Sequence, residues 1–172
     1  MEIIKHTDRL IIRSWKEADI EPYAAMVADS EVMKHIGDGR PRSRDYAVDF
    51  VNRMMVLYDE RGWIRFAIEH AESGELMGFC GFDSIAESGG VQDFGWRFAR
   101  KFWGAGFGSE AVLSVLELGR GRYGLKNIES MSYPENIGSI KLFEKMGMTF
   151  LRESEEHSRR VVHYGFPDSD GP

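Results

Sequence analysis

The sequence predicts a single mixed α/β domain, and three observations carry that prediction. The chain has 172 residues, 42% of them hydrophobic, which suffices for a full core without disulfide staples. Three consecutive stretches, "WIRFAIEH", "ELMGFCGFD" and "VQDFGWRF", alternate apolar and polar residues and are separated by the short turns "AESG" and "AESGG". Period-two patterning joined by glycine-bearing turns is the signature of an antiparallel meander. Helical spacing on either side of the meander, with no internal repeat, makes the fold mixed.

Taken in order, "RLIIRSW" (Arg9 to Trp15) reads as a strand. Ser14 and Glu17 then have capping-box spacing ahead of a helix through "ADIEPYAAMVA". "SEVMKHIG" reads as a short helix closed by Gly37, and "GDGRPRS" (Gly37 to Ser43) as a loop. In "RDYAVDFVNRMMVLYDERG", Tyr46, Phe50, Met54 and Leu57 recur at helical spacing up to the stop at Gly62. After the meander and the glycine-rich turn, a further helix carries Val112, Val115, Leu116 and Gly119 on one face. "NIESMSY" follows as a strand, "NIGSIKLFEKMG" as a helix, and "MTFLRESEE" with "RRVVHYGF" as a closing hairpin. The final "PDSDGP", residues 167–172, is expected to fray.

Composition narrows the function. One cysteine, Cys80, excludes an internal disulfide framework and fits a reducing cytoplasm. The N-terminal "MEIIKHTDRLIIRSW" has no apolar run of signal-peptide or membrane-span length. A net charge of −6 argues against nucleic acid as a partner, while leaving room for a local basic patch. His6, His35, His70, His157 and His163 never fall at ligand spacing, so no metal is expected.

The most informative stretch is "RKFWGAGFGSEAVLSVLELG", Arg100 to Gly119, where Gly104, Gly106 and Gly108 stand directly before a helix. A helix N-terminus presents unpaired backbone N–H groups and the positive end of the macrodipole. Glycines ahead of it let those amides converge on a bulky anion. Arg97, Arg100 and Lys101 are expected to add positive charge beside this cradle. The competing explanation is a turn whose glycines only permit tight strand–helix packing. A Walker A loop is excluded because Gly108-Ser109-Glu110 carries no lysine. The dinucleotide fingerprint fails on spacing and on the antiparallel strands that come first.

Phe98 to Ala111, "FARKFWGAGFGSEA", resembles the acyl-CoA pyrophosphate loop of the GNAT superfamily of N-acetyltransferases. Trp103 stands at the motif's Gln/Arg position, and Gly106 and Gly108 at its glycines. The form Trp-Gly-x-Gly-aromatic-Gly-Ser-Glu-Ala is similar to the RimJ/RimL branch, which acetylates N-terminal α-amines of ribosomal proteins. "PENIGSIKLFEKMGM" (Pro134 to Met148) resembles the family's second signature, "VQDFGWRF" its strand before the loop, and "TDRLIIRSW" its opening. The likeness therefore runs through nearly the whole chain in order.

The resemblance implies a central, mostly antiparallel sheet flanked by helices and splayed between "DFGWRF" and "NIESMSY" to hold acetyl-CoA as cosubstrate. Pantetheine would bond the backbone of Trp96, Arg97 and Phe98 as an added strand would. The diphosphate would rest on Gly104, Ala105, Gly106, Phe107, Gly108 and Ser109 beside Trp103. Asn136 would contact the pantetheine arm or the acetyl end, with Phe143 lining the same opening. Many relatives have a tyrosine acid where this chain has Phe143, so the resemblance points instead to Ser139 for protonating the leaving thiolate, with Tyr133 as a second candidate. Ser139 is equally consistent with a helix-capping or packing role. Asp93 lies where the family's strand often carries a glutamate base, but an exposed strand carboxylate with water as base fits equally well.

Other features have simpler explanations. Cys80 sits in an apolar strand, "MMVLY" on a packed helix face, and Arg159-Arg160 in a solvated turn, although that pair could also grip an acidic substrate or a CoA phosphate. "HIGDGRPRS" is a candidate substrate lid by analogy with other mobile loops. The expected activity is acetyl-CoA-dependent acetylation of a peptide N-terminal α-amine or a small-molecule amine. The alternative is a catalytically silent acyl-CoA sensor or interaction module. The acceptor, and assembly as a homodimer, stay open.

Overall fold

The computed structural model describes residues 1–84 and 90–166. The expected "AESGG" turn falls mainly at residues 86–89 and the expected frayed tail at 167–172, both outside the described residues.

Among the described residues, eight strands form one sheet in the order β1-β2-β3-β4-β5-β6-β8-β7. The first is β1 (Ile3–His6), which the sequence reading missed. It pairs antiparallel with β2 (Leu10–Arg13), inside the predicted first strand. At four residues, with only intermediate burial at its centre, β1 shows too little alternation to be read as a strand. The next element is a single 3₁₀ turn at Glu17–Asp19 leading into α1 (Ile20–Val27).

Here the expected capping box is corrected. Ser14 Oγ accepts from the backbone N–H of Glu2, whereas Asp19 takes the backbone N–H of Lys16 at 3.0 Å. Asp19 also receives Arg13 through two bonds of 2.7 Å, with both side chains almost wholly buried. The carboxylate that starts the helix is thus also the counterion of a core arginine.

After α2 (Ser30–Met33), helix α3 (Arg44–Arg61) starts on Ser43, whose Oγ accepts from Tyr46 N–H. It ends at Gly62 in the left-handed conformation (φ +76°), which glycine adopts at little cost. The predicted meander then forms from β3 (Arg65–His70), β4 (Leu76–Ser84) and β5 (Gln92–Phe98), antiparallel throughout. A 3₁₀ turn at Arg100–Phe102 leads to α4 (Phe107–Gly121). Then come β6 (Ile128–Ser132), α5 (Ile137–Lys145) and the hairpin of β7 (Thr149–Glu156) with β8 (Arg159–Gly165). His157 and Ser158 both have positive φ at its tip, the backbone of a tight hairpin turn made here without glycine.

Strand alternation sorts the core into two layers. On one face, Phe79 packs with Phe50 of α3 and Tyr23 of α1. On the other, Phe82 stacks on Phe94 at 4.6 Å and presses its ring edge against Gly119 of α4, which needs to be glycine for that approach. Cys80 is fully buried, and burial pushes its thiol well up, so the core assignment holds.

The decisive irregularity lies between β5 and β6. This is the one parallel pairing among the described strands, and it registers only Gln92 with Ile128 and Asp93 with Glu129. Beyond that point the strands diverge. Ser130 Oγ still reaches the carbonyl of Phe94 at 2.7 Å, and no ladder follows.

Candidate active site

The divergence of β5 and β6 opens a cleft of about 580 Å³, walled by β5, β6, the start of α5 and the segment after α2. Phe94 and Phe98 direct their carbonyls into the opening, where Ser130 Oγ and Trp103 Nε1 bond them at 2.7 and 2.8 Å. Alternation therefore points the peptide groups of Trp96, midway between them, into the same opening. Trp96 supplies a free strand edge. Its indole packs edge-to-face against Phe143, which is itself buried against Tyr164, so Phe143 acts as wall rather than as polar group.

The glycine loop ends at the mouth of the cleft. Gly104 and Gly106 have φ of +76° and +83°, a region costly for residues with a Cβ. Gly106 is the N-cap of α4, and no side chain caps the helix there. The first-turn amides of Phe107, Gly108 and Ser109 are thus left for an external acceptor. Gly108 and Trp103 line the cleft, whereas Ala105 lies on the exposed outside of the loop.

The positive charges are arranged differently from the sequence expectation. Arg100 pairs with Asp29 and Lys101 with Glu75, both facing away from the cradle. Arg97 is buried under the sheet, donating to Tyr23 Oη at 2.8 Å. The cation at the loop is Arg9, which the sequence reading missed. Its Nη1 donates to the carbonyl of Ala105 at 2.9 Å, its Nε to Glu110 at 2.7 Å, and its guanidinium lies 4.3 Å from the Phe107 ring centroid. Glu110 also accepts from Thr7 Oγ1 and from the Arg9 backbone. Although burial opposes it, these bonds hold the Glu110 carboxyl below its usual range. A negative charge in the first turn of α4 is thereby neutralised from the turn between β1 and β2, 101 residues away in sequence.

The candidate acids and base fare unequally. Asn136 caps α5, its Oδ1 accepting from Ser139 N–H, and its Nδ2 donates to Ser139 Oγ at 3.0 Å. Both residues line the cleft. The Ser139 hydroxyl proton has no acceptor among the described residues, so it is free to donate into the cleft. Tyr133, by contrast, donates its hydroxyl to the carbonyl of Gly37 and lies beneath the Arg159 guanidinium, outside the cleft lining. Asp93 is hydrogen-bonded to Arg65 on the face of the sheet turned toward α3, and it does not line the cleft. Its cross-strand neighbour Asp83 is held there by Arg53 and Arg61.

The stretch expected as a lid also lies against this site. His35 and Ile36 line the cleft, while Gly37 is held by Tyr133 and the carbonyl of Lys34 accepts from Arg159. Arg159 also pairs with Glu135, and Arg160 with Glu153, so neither arginine is a merely solvated turn residue. Among the described residues no three His, Cys, Asp or Glu side chains gather closely enough for a metal ion, and no helix is long and apolar enough to cross a membrane.

Residues 9–149 match the model of an acetyltransferase (GNAT) domain. The chain belongs to the GNAT acetyltransferase family. It is 31% identical over 144 residues to the uncharacterized N-acetyltransferase YoaA of Bacillus subtilis, covering 84% of this chain and 81% of that one. It is 32% identical over 162 residues to the uncharacterized N-acetyltransferase p20 of Bacillus licheniformis, covering 91% and 90%. The crystal structure of a GNAT-family acetyltransferase from Bacillus anthracis superposes with a TM-score of 0.82 at 25% identity, over 98% of this chain and all of that one. The ribosomal L7/L12 α-N-protein acetyltransferase RimL, solved in complex with coenzyme A, shares the fold with a TM-score of 0.76 at 18% identity, over 98% and 100% of the two chains. The GNAT assignment makes this protein an acetyltransferase by family. Its eight-stranded, mostly antiparallel sheet with flanking helices is the GNAT fold.

Proposed function

We propose that this GNAT protein transfers the acetyl group of acetyl-CoA to a primary amine in the cleft between β5 and β6. One observation carries the reading: a free strand edge at Trp96 and an uncapped helix N-terminus at α4 open into the same cleft. The first suits a pantetheine amide and the second a diphosphate. RimL, which shares the fold, was solved with coenzyme A. Trp96 and Phe98, with the backbone at Arg97, would hold the pantetheine, and Gly104 to Ser109 the diphosphate, with Trp103 fixing the end of the strand. Asn136 and Phe143 would flank the acyl end.

When bound, acetyl-CoA supplies a thioester whose carbonyl carbon is open to attack by a neutral amine. Ser139 holds a hydroxyl proton that can pass to the departing thiolate as its oxygen takes a proton from solvent in return, and Asn136 fixes its Oγ. Asp93, bonded to Arg65 outside the cleft, is poorly placed to take the amine proton, which passes to water. A site without a strong base favours amines that are already partly neutral. An α-amine of pKa near 8 is roughly a tenth neutral at pH 7, and a lysine near 10.4 less than about one part in a thousand. The acceptor is therefore a peptide N-terminal α-amine, as in the RimJ/RimL branch, or a small-molecule amine.

The test uses one short peptide with a free N-terminus and one internal lysine, alongside a small-amine panel, with thiol release and product mass as readouts. Acetylation at the α-amine or on a small amine, rising with pH through about 8, is expected. Dominant lysine acetylation at pH 7 would require a strong base within the cleft and would contradict this reading. No amine-dependent thiol release from any acceptor would remove the proposal.

A further inference from the structure

The face of β5 turned toward α1 and α3 carries Asp93, Gly95 and Arg97 in alternation, and Gly95 and Arg97 line the cleft. Arg97 is only 7% exposed. Among the described residues its guanidinium makes one hydrogen bond, from Nη1 to Tyr23 Oη, its Nε is buried with no partner, and no carboxylate pairs with it. The rings of Phe79 and Tyr23, with centroids 5.3 and 6.0 Å from the guanidinium carbon, complete its surroundings. Arg65 approaches the same place. A Cβ built on Gly95 would lie 3.8 Å from Arg65 Nη2, and Arg65 Nε is likewise buried without a partner. Arg65 is paired with Asp93, so Arg97 is the guanidinium left without a carboxylate, beside a strand position that has no side chain.

Burying an uncompensated cation is costly, and arginine cannot escape the cost by losing its proton. The arrangement lacks one negative charge. Acetyl-CoA does not supply it, because its anionic groups lie at the diphosphate end and its thioester end is neutral. The charge must come from the other occupant of the cleft. One surplus positive charge matches one carboxylate, whose two oxygens fit the guanidinium fork. A phosphate dianion would bring more charge than this site balances. The acidic side chains lining the cleft, Glu31 and Glu135, lie exposed at its rim and leave the buried end cationic.

From this geometry we infer that the acceptor is an amine bearing its own carboxylate, of the amino-acid type, and that Arg97 anchors that carboxylate above Gly95. The inference rests on reading the cleft as an amine-acetylation site, and its test is arranged so that the two can fail separately. With CoA present, the protein is titrated with N-acetylglycine, N-acetylalanine and N-acetylphenylalanine and with the primary amide of each. The free amino acids and their amides are assayed in parallel for acetylation.

The acids are expected to bind at least tenfold more tightly than the amides, with the preference abolished in Arg97→Gln. Because Arg97→Gln can fail to fold, Arg97→Lys is measured as well. It keeps the charge but loses the fork, and its preference is expected to fall below that of the wild type. Equal binding of acids and amides, binding of neither, a preference that survives in folded Arg97→Gln, or one unchanged in Arg97→Lys would each overturn the assignment. Binding of the acids with no acetylation of any amine would leave this site standing and remove the proposed acetyl transfer. Acetylation of the amides in preference to the acids would do the reverse.

Discussion

Replacing Arg9 by alanine is expected to damage cofactor binding without touching the cofactor. Arg9 holds the glycine loop by three contacts: an ion pair with Glu110, a bond to the Ala105 carbonyl and the face of Phe107. The ion pair is partly exposed, at 43% and 18% for its two side chains, which limits it to about 1 kcal/mol. The bond to Ala105 adds about 1 kcal/mol and the ring contact about 0.5–1 kcal/mol. Roughly 2–3 kcal/mol therefore orders the loop. At about 1.4 kcal/mol per tenfold, complete loss would raise the Kd for CoA roughly 30- to 150-fold. At least about tenfold is expected, since the loop keeps the conformational bias of Gly104 and Gly106. Calorimetric titration with CoA and, separately, with pantetheine isolates the effect, because pantetheine has no diphosphate for the loop to hold. Lys5→Ala serves as control, since it removes another ion pair to α4 far from the loop. Wild-type CoA affinity in a folded Arg9→Ala variant, or an equal loss for pantetheine, would refute the positioning role.

Three further substitutions probe other parts of the account. Ser139→Ala should lower kcat roughly a hundredfold with little change in the KM for acetyl-CoA; unchanged turnover with chemistry rate-limiting would leave Ser139 as a capping residue only. Asp93→Asn should cost about 1–3 kcal/mol in denaturant unfolding, by weakening the bond to Arg65, while keeping the pH dependence of turnover. Loss of the alkaline rise in that variant would restore Asp93 as the base. Gly119→Ala would place a methyl group 2.7 Å from Phe82 Cε2, in a ring already stacked on Phe94. Overpacking of about 1–3 kcal/mol exceeds the helix-propensity gain of about 1 kcal/mol, so Tm should fall by a few degrees, and a rise would contradict the packing described.

What was legible in the sequence follows the range of the physical signal. The meander was readable from three short apolar-rich runs set off by glycine-bearing turns, even though β4 is buried on both faces. Helix α3 was readable from the spacing of its apolar residues and from Gly62. The glycine loop ahead of α4 was readable because Gly104 to Ser109 are neighbours in sequence. The missing elements depend on distant partners. Arg9 finds Ala105 across 96 residues, and nothing near Arg9 marks the contact. The same holds for the pairing of Arg65 with Asp93 and for Tyr133 reaching Gly37, which decide which candidate groups remain free. Strand β1 was too short to show a period, and the predicted cap at Ser14 failed because the tertiary demand of Arg13 recruited Asp19.

The most direct test of the central claim is a crystal structure of the protein grown with acetyl-CoA. The account predicts pantetheine running along the Trp96 edge between β5 and β6. It also predicts the diphosphate within hydrogen-bond reach of the Phe107, Gly108 and Ser109 amides, and the thioester facing Ser139. A ligand bound outside the β5–β6 cleft, or one whose diphosphate avoids the α4 N-terminus, would contradict it.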